Sequence, residues 1–300
     1  MGCKIFRQYA RHRAGPLRRF RRDATQGDRS SPQPSGVRPL RIATWNINSL
    51  RLRMPTLQNV VAALKPDVVC LQETKVPDEL FPVDDVRALG FEHILFAGMK
   101  GYNGVAILSK APLTPIDRRD WCEKGDCRHI AAILPSGAEL HNFYIPAGGD
   151  IPDPVLNDKF AHKLRFVDEL ADWFRGKAQA ERILVGDLNI APLEEDVWSH
   201  KQLLKVVSHT PVEVEKLIAA MKAHDWVDVL REFVPPDQKL YTWWSYRNRI
   251  WPGNDRGRRL DHVWVTPSLR PALAGATVLR EARGWDKPSD HVPVAVDFNF

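Results

Sequence analysis

Ile183-Leu184-Val185-Gly186-Asp187-Leu188-Asn189-Ile190 is the stretch on which the reading of this chain turns. An apolar run rich in β-branched residues meets a glycine and then two polar groups, the pattern of a buried strand ending at a polar edge. Side chains alternate along a strand, so Asp187 and Asn189 share a face. A carboxylate and a carboxamide at a strand end can hold a divalent cation, a phosphate or a water. Taken alone the segment reads equally well as a turn, because Gly, Asp and Asn are frequent turn formers. The rest of the chain decides between the two.

Hydrophobic residues make up 44% of the 300 residues, enough for a core. No run approaches the roughly 20 apolar residues of a membrane helix, and the N-terminus lacks the apolar segment of a secretory signal. No linker follows residue 42 and no repeat is visible, so residues 39–300 read as one large domain. Residues 1–38 are Arg-rich and acid-poor and end in Ser30-Ser31-Pro32-Gln33-Pro34-Ser35-Gly36, which predicts a disordered basic tail. Such a tail is inert, an organelle-type transit segment, or an arm adding non-specific affinity for nucleic acid. Residues 1–41 hold eleven Lys/Arg against Asp23 and Asp28, a net +9, so residues 42–300 sum to −3 of the overall +6. An anion-binding surface on the folded part must therefore be a local patch. The cysteines (Cys3, Cys70, Cys122, Cys127) complete no zinc pattern and read as reduced and structural.

Strand patterns recur at residues 41–48, 67–74, 104–108, 129–134, 140–145, 241–244, 260–265 and 291–298. Pro55 opens a helix with Leu57, Val60, Val61 and Leu64 on one face. Leu156, Phe160, Leu164, Val167, Leu170 and Phe174 predict a helix over 154–175 that stops at Gly176, and another is expected over 212–223. Asn46, Asn48, Glu73, Tyr144, Asp187 and Asn189 fall at the C-terminal ends of their strands, whereas Asp261, Asp290 and His291 fall at N-terminal ends. If the late strands run antiparallel to the early ones, all of these groups meet at one edge of a mixed α/β sandwich.

Those groups suit metal-assisted hydrolysis of a phosphoester. Mg²⁺ takes oxygen ligands, needing one or two carboxylates plus substrate phosphate. Glu73 is the best single ligand, with Asn46 to orient it. Asp261 would fix the His291 ring and favour its charged form, which can hydrogen-bond a phosphoryl oxygen. Asp187 would position and deprotonate a water with Asn189, and Tyr144 would offer a phenolic donor. Each alone has a bland reading: a surface glutamate, a structural histidine, a core tyrosine. The chain has neither a nucleophile elbow nor a GxxxxGK[ST] loop.

Six segments in order complete the picture: Trp45-Asn46-Ile47-Asn48-Ser49-Leu50-Arg51, Leu71-Gln72-Glu73-Thr74-Lys75, Gly101-Tyr102-Asn103-Gly104-Val105, Gly186-Asp187-Leu188-Asn189-Ile190, Arg259-Leu260-Asp261-His262 and Lys287-Pro288-Ser289-Asp290-His291. Together they resemble the exonuclease III family of abasic-site DNA repair nucleases, within the endonuclease/exonuclease/phosphatase superfamily, over residues 40–300. The resemblance implies a DNase I-like four-layer sandwich of two stacked mixed β-sheets flanked by helices. It implies a monomeric, cytoplasmic enzyme at the bacterial nucleoid, acting with Mg²⁺, or Mn²⁺ in its place, on double-stranded DNA carrying abasic sites or 3′ blocks. The implied activities are incision 5′ to an abasic site, 3′→5′ exonuclease action and removal of 3′-blocking groups. Tyr144, Asp187, Asn189, Asp261 and His291 match its catalytic positions. Asn46, Glu73, Asp187, Asn189, Asp290 and His291 are expected at the metal, and Arg128, Trp243, Tyr102 and Asn103 at the DNA. Trp243 would wall the deoxyribose pocket, and the basic loop 254–259 would touch phosphates.

Two positions depart from the family pattern: Ala147 follows Pro146 where a longer polar side chain is usual, and Asn48 stands where some members carry a metal-adjacent Asp. Other readings are a phosphodiesterase of the same superfamily acting on phosphoinositides, sphingomyelin or RNA tails, and a non-catalytic nucleic-acid-binding module. Thr74-Lys75 and the Trp243-Trp244 pair favour DNA over the former. The full polar set argues against the latter.

Overall fold

The computed structural model describes residues 39–247 and 251–300, and the basic tail lies outside them. Strands run in the order β1 (Leu40–Asn46), β2 (Val68–Gln72), β3 (His93–Ala97), β4 (Val105–Ser109), β5 (Thr114–Ile116), β6 (His129–Ile133), β7 (Glu139–Tyr144) and β8 (Arg182–Asp187). They continue with β9 (Val227–Asp228), β10 (Trp243–Trp244), β11 (Gly257–Arg258), β12 (Asp261–Val265), β13 (Leu273–Val278) and β14 (Val294–Phe298). The α-helices are α1 (Met54–Leu64), α2 (Val83–Ala88), α3 (Asp158–Arg175), α4 (His200–Leu203), α5 (Pro211–Lys222) and α6 (Val229–Phe233).

One six-stranded sheet has the order β13-β14-β1-β2-β4-β3 and the other β5-β6-β7-β8-β12-β9. Each is antiparallel except for its central pair, β1/β2 in the first and β7/β8 in the second. A parallel pair needs a long crossover. Helix α1 supplies it for the first sheet and α3 for the second, which brings each helix onto the outer face of its own sheet. Three apolar clusters fill the resulting layers. Val68, Cys70, Ile107, Leu140, Val185 and Val296 lie between the sheets. Leu57, Val60, Val69 and Leu71 join α1 to the first sheet. Phe166, Leu170, Leu184, Leu217 and Trp264 join α3 and α5 to the second. The expected four-layer sandwich is the fold. Among the described residues Cys70, Cys122 and Cys127 are free thiols, and no helix is long and apolar enough to cross a membrane.

Polar pins set how the two sheets meet. Buried Asn142 on β7 donates to Leu71 O (3.0 Å) and Ala106 O (2.9 Å) and accepts from Gln72 Nε2 (2.6 Å). Sliding one sheet over the other would strand these groups without partners, at about 1–3 kcal/mol each. The carboxyl ends of β1, β2, β7 and β8 are thereby held at one edge, the usual position for a ligand in an α/β sheet.

Two element boundaries differ from expectation. The helix predicted from 154 starts at Asp158, because Asp153 Oδ1 already accepts from the Val155 and Leu156 amides and Asn157 caps the helix through Lys159 N. Leu156, counted in the apolar stripe, is 74% exposed. Helix α5 starts at Pro211, where Thr210 and Glu213 form a capping box. Strands β3, β5, β9, β11 and β13 went unpredicted. Each lies at the edge of its sheet, where one-sided burial leaves a weak apolar signal.

Candidate active site

Gly186 is the residue that bends β8 toward the site. Its φ is +141°, and an added Cβ would meet Phe143 O at 1.9 Å on the neighbouring strand. Only glycine lets β8 approach β7 this closely and still deliver Asp187 opposite Tyr144 on β7 and Asp261 on β12. Asn189 (φ 54°) and Glu73 (φ 51°) then occupy left-handed backbone conformations at the strand ends. Strain of this kind is held in place by surrounding hydrogen bonds and gathers at functional sites.

The groups predicted from six separate segments meet here. Asn46 donates from Nδ2 to Glu73 Oε1 (3.0 Å) and to Asp187 Oδ2 (2.8 Å), linking the two carboxylates. Tyr144 Oη donates to Glu73 Oε1 at 2.7 Å. Asn189 gives its backbone N–H to Asp187 Oδ1 and its amide to Asp187 Oδ2, both at 3.0 Å. His291 Nδ1 lies 2.9 Å from Asp261 Oδ2, and its Nε2 lies 3.6 Å from Asp187 Oδ2. Asp290 accepts from Asn48 Nδ2 (3.0 Å) and Trp243 Nε1 (2.9 Å). Ser289 Oγ donates to Asn46 O and Trp45 Nε1 to His291 O, which fastens the 287–291 loop to β1.

Burial and neighbours set the charge states. Burial lifts the Asp187 carboxyl to about 7 against the pull of charged His291. For His291 burial alone would lower the value, but Asp261 and then Asp187 outweigh it and raise the ring to about 10. Burial also works against the Glu73 carboxylate, yet Lys75, Asn46 and Tyr144 hold it below the usual range. Asp290 is likewise held low, by His291, Asn48 and Trp243 against burial. Burial, then the Glu73 and Asp187 charges, keep Tyr144 a neutral phenol and hence a donor.

Glu73, Asp290 and the side-chain oxygens of Asn46 and Asn48 form an oxygen-only donor set fitting a hard divalent cation. Lys75 Nζ, 2.8 Å from Glu73 Oε2 and 2.6 Å from Asn48 Oδ1, already balances part of that charge. The ligand atoms of Asp187, Asp261 and His291 also lie within 4.8 Å of one another. That trio is a second candidate metal position beside the Glu73 side, and with its ring charged His291 would act there as a proton donor in place of a ligand. Asn189 spends its Nδ2 donor on Ile145 O and Asp187, which leaves its Oδ1 as the atom that could face a cation.

The expected DNA contacts divide. Trp243 lines a cleft of about 810 Å³ together with Glu73, Asn189, Asp290 and His291. Arg128 stacks 4.8 Å over the Tyr144 ring and pairs with Asp126. Tyr102 is 58% exposed. Asn103 is buried, its amide donating to Asp126 O (3.0 Å), so it fastens its own loop instead of reaching outward. In the basic loop, Arg256 and Arg258 line the cleft. Arg259 does not, because it is fully buried between Asp196 and Asp228.

Sequence reasoning missed Lys163. Its ammonium sits 2.5 Å from Glu213 Oε1, both side chains fully buried, and donates to Asn189 O (2.8 Å) and Ala147 O (3.2 Å). It ties α3 and α5 to the Asn189 turn. The signal was present, because Lys163 falls three residues after Phe160 inside the helix's apolar stripe.

The Endonuclease/Exonuclease/phosphatase family pattern matches residues 43–291. Exodeoxyribonuclease III of Haemophilus influenzae is 30% identical over 274 residues, covering 86% of this chain and 100% of that protein. DNA repair nuclease APEX1 of Danio rerio is 30% identical over 265 residues, covering 86% of this chain and 81% of that protein. An AP endonuclease structure from Archaeoglobus fulgidus superposes with a TM-score of 0.80 at 31% identity, covering 87% of this chain and all of that one. The 3′ phosphatase NExo from Neisseria, bound to a product DNA hairpin, gives 0.78 at 32% identity with the same coverage. Matched over most of its length, this chain belongs to the Endonuclease/Exonuclease/phosphatase family and is one of its metal-dependent phosphoester-cleaving enzymes.

Proposed function

We propose that this chain is a Mg²⁺-dependent abasic-site endonuclease. It cuts the phosphodiester 5′ to the lesion in duplex DNA, and it also trims 3′ ends as a 3′→5′ exonuclease and clears 3′-blocking groups. It works as a monomer, with the activity in residues 39–300. The observation that carries this reading is the Asp261–His291 pair facing Asp187 across 3.6 Å, with Glu73 reached through Asn46 in the same cleft.

Asp187, oriented by both donors of Asn189, accepts the proton of the attacking water and returns it to the 3′ oxygen of the upstream nucleotide, which departs as its P–O bond breaks. His291, aimed by Asp261, donates from Nε2 to a non-bridging phosphoryl oxygen as negative charge builds there. Tyr144 stays protonated and holds Glu73 in place. Glu73, Asn46 and Asp290 would hold the cation, which supplies Lewis-acid polarisation and charge neutralisation at the phosphate. Trp243 offers an aromatic face to an extruded sugar, and a sugar without a base costs least to extrude.

Incubation of a duplex oligonucleotide bearing one tetrahydrofuran abasic analogue tests this. A single nick 5′ to the analogue is expected with Mg²⁺ and none with a chelator. Absence of a Mg²⁺-dependent nick removes the reading. Removal of residues 1–38 should leave that nick intact while flattening the salt dependence of DNA binding, and an unchanged slope would deny the tail a DNA-binding role.

A further inference from the structure

Arg258 stands apart from the other arginines around the cleft. It lies on β11 opposite Trp243 of β10, and Trp243 in turn bridges His291. Arg258 and Trp243 on paired strands and His291 on the bridged 287–291 loop thus form one row, which places Arg258 about 10 Å from His291 along the wall. Its guanidinium stacks 5.1 Å over the Trp243 ring. Nη1 donates to Val207 O (3.0 Å) and Ser208 Oγ (2.7 Å), whereas the buried Nε has no partner.

No carboxylate balances this charge among the described residues. The Glu213 charge acts on it from a distance, but that carboxylate is already paired with Lys163. Asp290, on the same cleft, is occupied by Asn48 and Trp243. Arg259, one residue on, shows the contrast: its side chain faces the opposite way and is paired with Asp196 and Asp228. A largely buried cation without an anion is costly. It lines the wall of a cleft that, on the reading above, takes an anionic polymer.

We propose that Arg258 is a specificity-determining residue that binds a phosphate attached to the 3′ side of the sugar held against Trp243. This rests on the abasic-site reading above and deepens it. An abasic sugar inside a strand carries a 3′ phosphodiester, whereas the same sugar at a strand terminus ends in a neutral hydroxyl. Arg258 favours the former, which biases the enzyme toward internal incision over terminal trimming. The planar fork of arginine, fixed on the indole and on Ser208, suits a tetrahedral phosphate better than a mobile ammonium would.

Two duplexes isolate the effect, one with tetrahydrofuran internally and one with tetrahydrofuran as the 3′-terminal nucleotide. Wild-type protein, Arg258→Leu, Arg258→Gln and Arg258→Lys are compared by kcat/KM on each, with thermal melting as the folding control. The internal-to-terminal ratio is expected to fall about 10- to 100-fold in Arg258→Leu and Arg258→Gln, the range of a lost charge-assisted hydrogen bond. Arg258→Lys should recover part of it. The slope of log binding against log salt on the internal duplex should fall by about one. Equal losses on both duplexes, or no loss on either, would overturn the assignment. A wild-type protein that cuts neither duplex would instead overturn the abasic-site reading, and this inference with it.

Discussion

Asp261→Asn perturbs the site at one defined point. Asp261 is fully buried, its backbone N–H is held by Thr242 Oγ1, and its Oδ2 lies 2.9 Å from His291 Nδ1. Asparagine keeps the shape and removes the charge. The ring's position at about 10 instead of 6.5 corresponds to a preference for the charged form of roughly 5 kcal/mol. Asp261 is the largest contributor in that direction, so its loss should bring the ring's value down toward the ordinary range. The sign follows from the role: His291 acts as imidazolium, so activity is present below its value and lost above it. Wild-type kcat/KM should rise as Asp187 ionises near 7 and fall only toward 10. In Asp261→Asn the alkaline limb should move to lower pH, with a deficit at pH 9 of about ten-fold for each unit by which the limb falls below 9, shrinking toward pH 7. A uniform loss from poorer ring orientation adds to this at every pH. The assay is cleavage of the abasic-analogue duplex from pH 6 to 10 at saturating Mg²⁺. An alkaline limb that stays where the wild type has it would show that Asp261 does not set the charge of His291.

Asp187→Asn should lower kcat by about 100- to 10,000-fold, the range for a general base, with DNA affinity retained in a gel-shift measurement; near-wild-type turnover would misplace the base. Gly186→Ala should cost about 3 kcal/mol, or roughly 6–12 °C in Tm, because the new Cβ lands on Phe143 O; an unchanged melting curve would refute the close approach of β8 to β7. Burial, reinforced by the Arg259 charge, lowers His262 to about 4. Its contribution is whole above 6.5 and is lost as pH falls toward 4, about 3 kcal/mol in all. Urea midpoints at pH 7 and pH 4 should show a smaller acid loss in His262→Asn than in wild type, and equal losses would remove this account.

Much of the molecule could be read from local pattern. Apolar β-branched runs gave the central strands because those strands are buried on both faces. The edge strand β13 (Leu-Ala-Gly-Ala-Thr-Val) carries no such run, and it is a strand only because β14 offers it a ladder of hydrogen bonds. The candidate site was legible for a related reason. Chemistry needs particular functional groups, and Asn46, Glu73, Asp187 and His291 interrupt otherwise apolar strands at their ends. A lysine in a helix offers only its place in the apolar stripe as a hint, and its role at Lys163 became visible once α3 and α5 had buried it against Glu213.

By itself the sequence determined which residue types stand at the ends of which strands, and therefore the kind of reaction and the family to which the chain belongs. Tertiary structure decided the rest. It separated Arg258 in the cleft from Arg259 in the core, turned Asn103 inward, and set the His291 ring against buried Asp261, whose charge favours the protonated form. Charge and exposure depend on neighbours distant in sequence, and a one-dimensional pattern carries no distances between them.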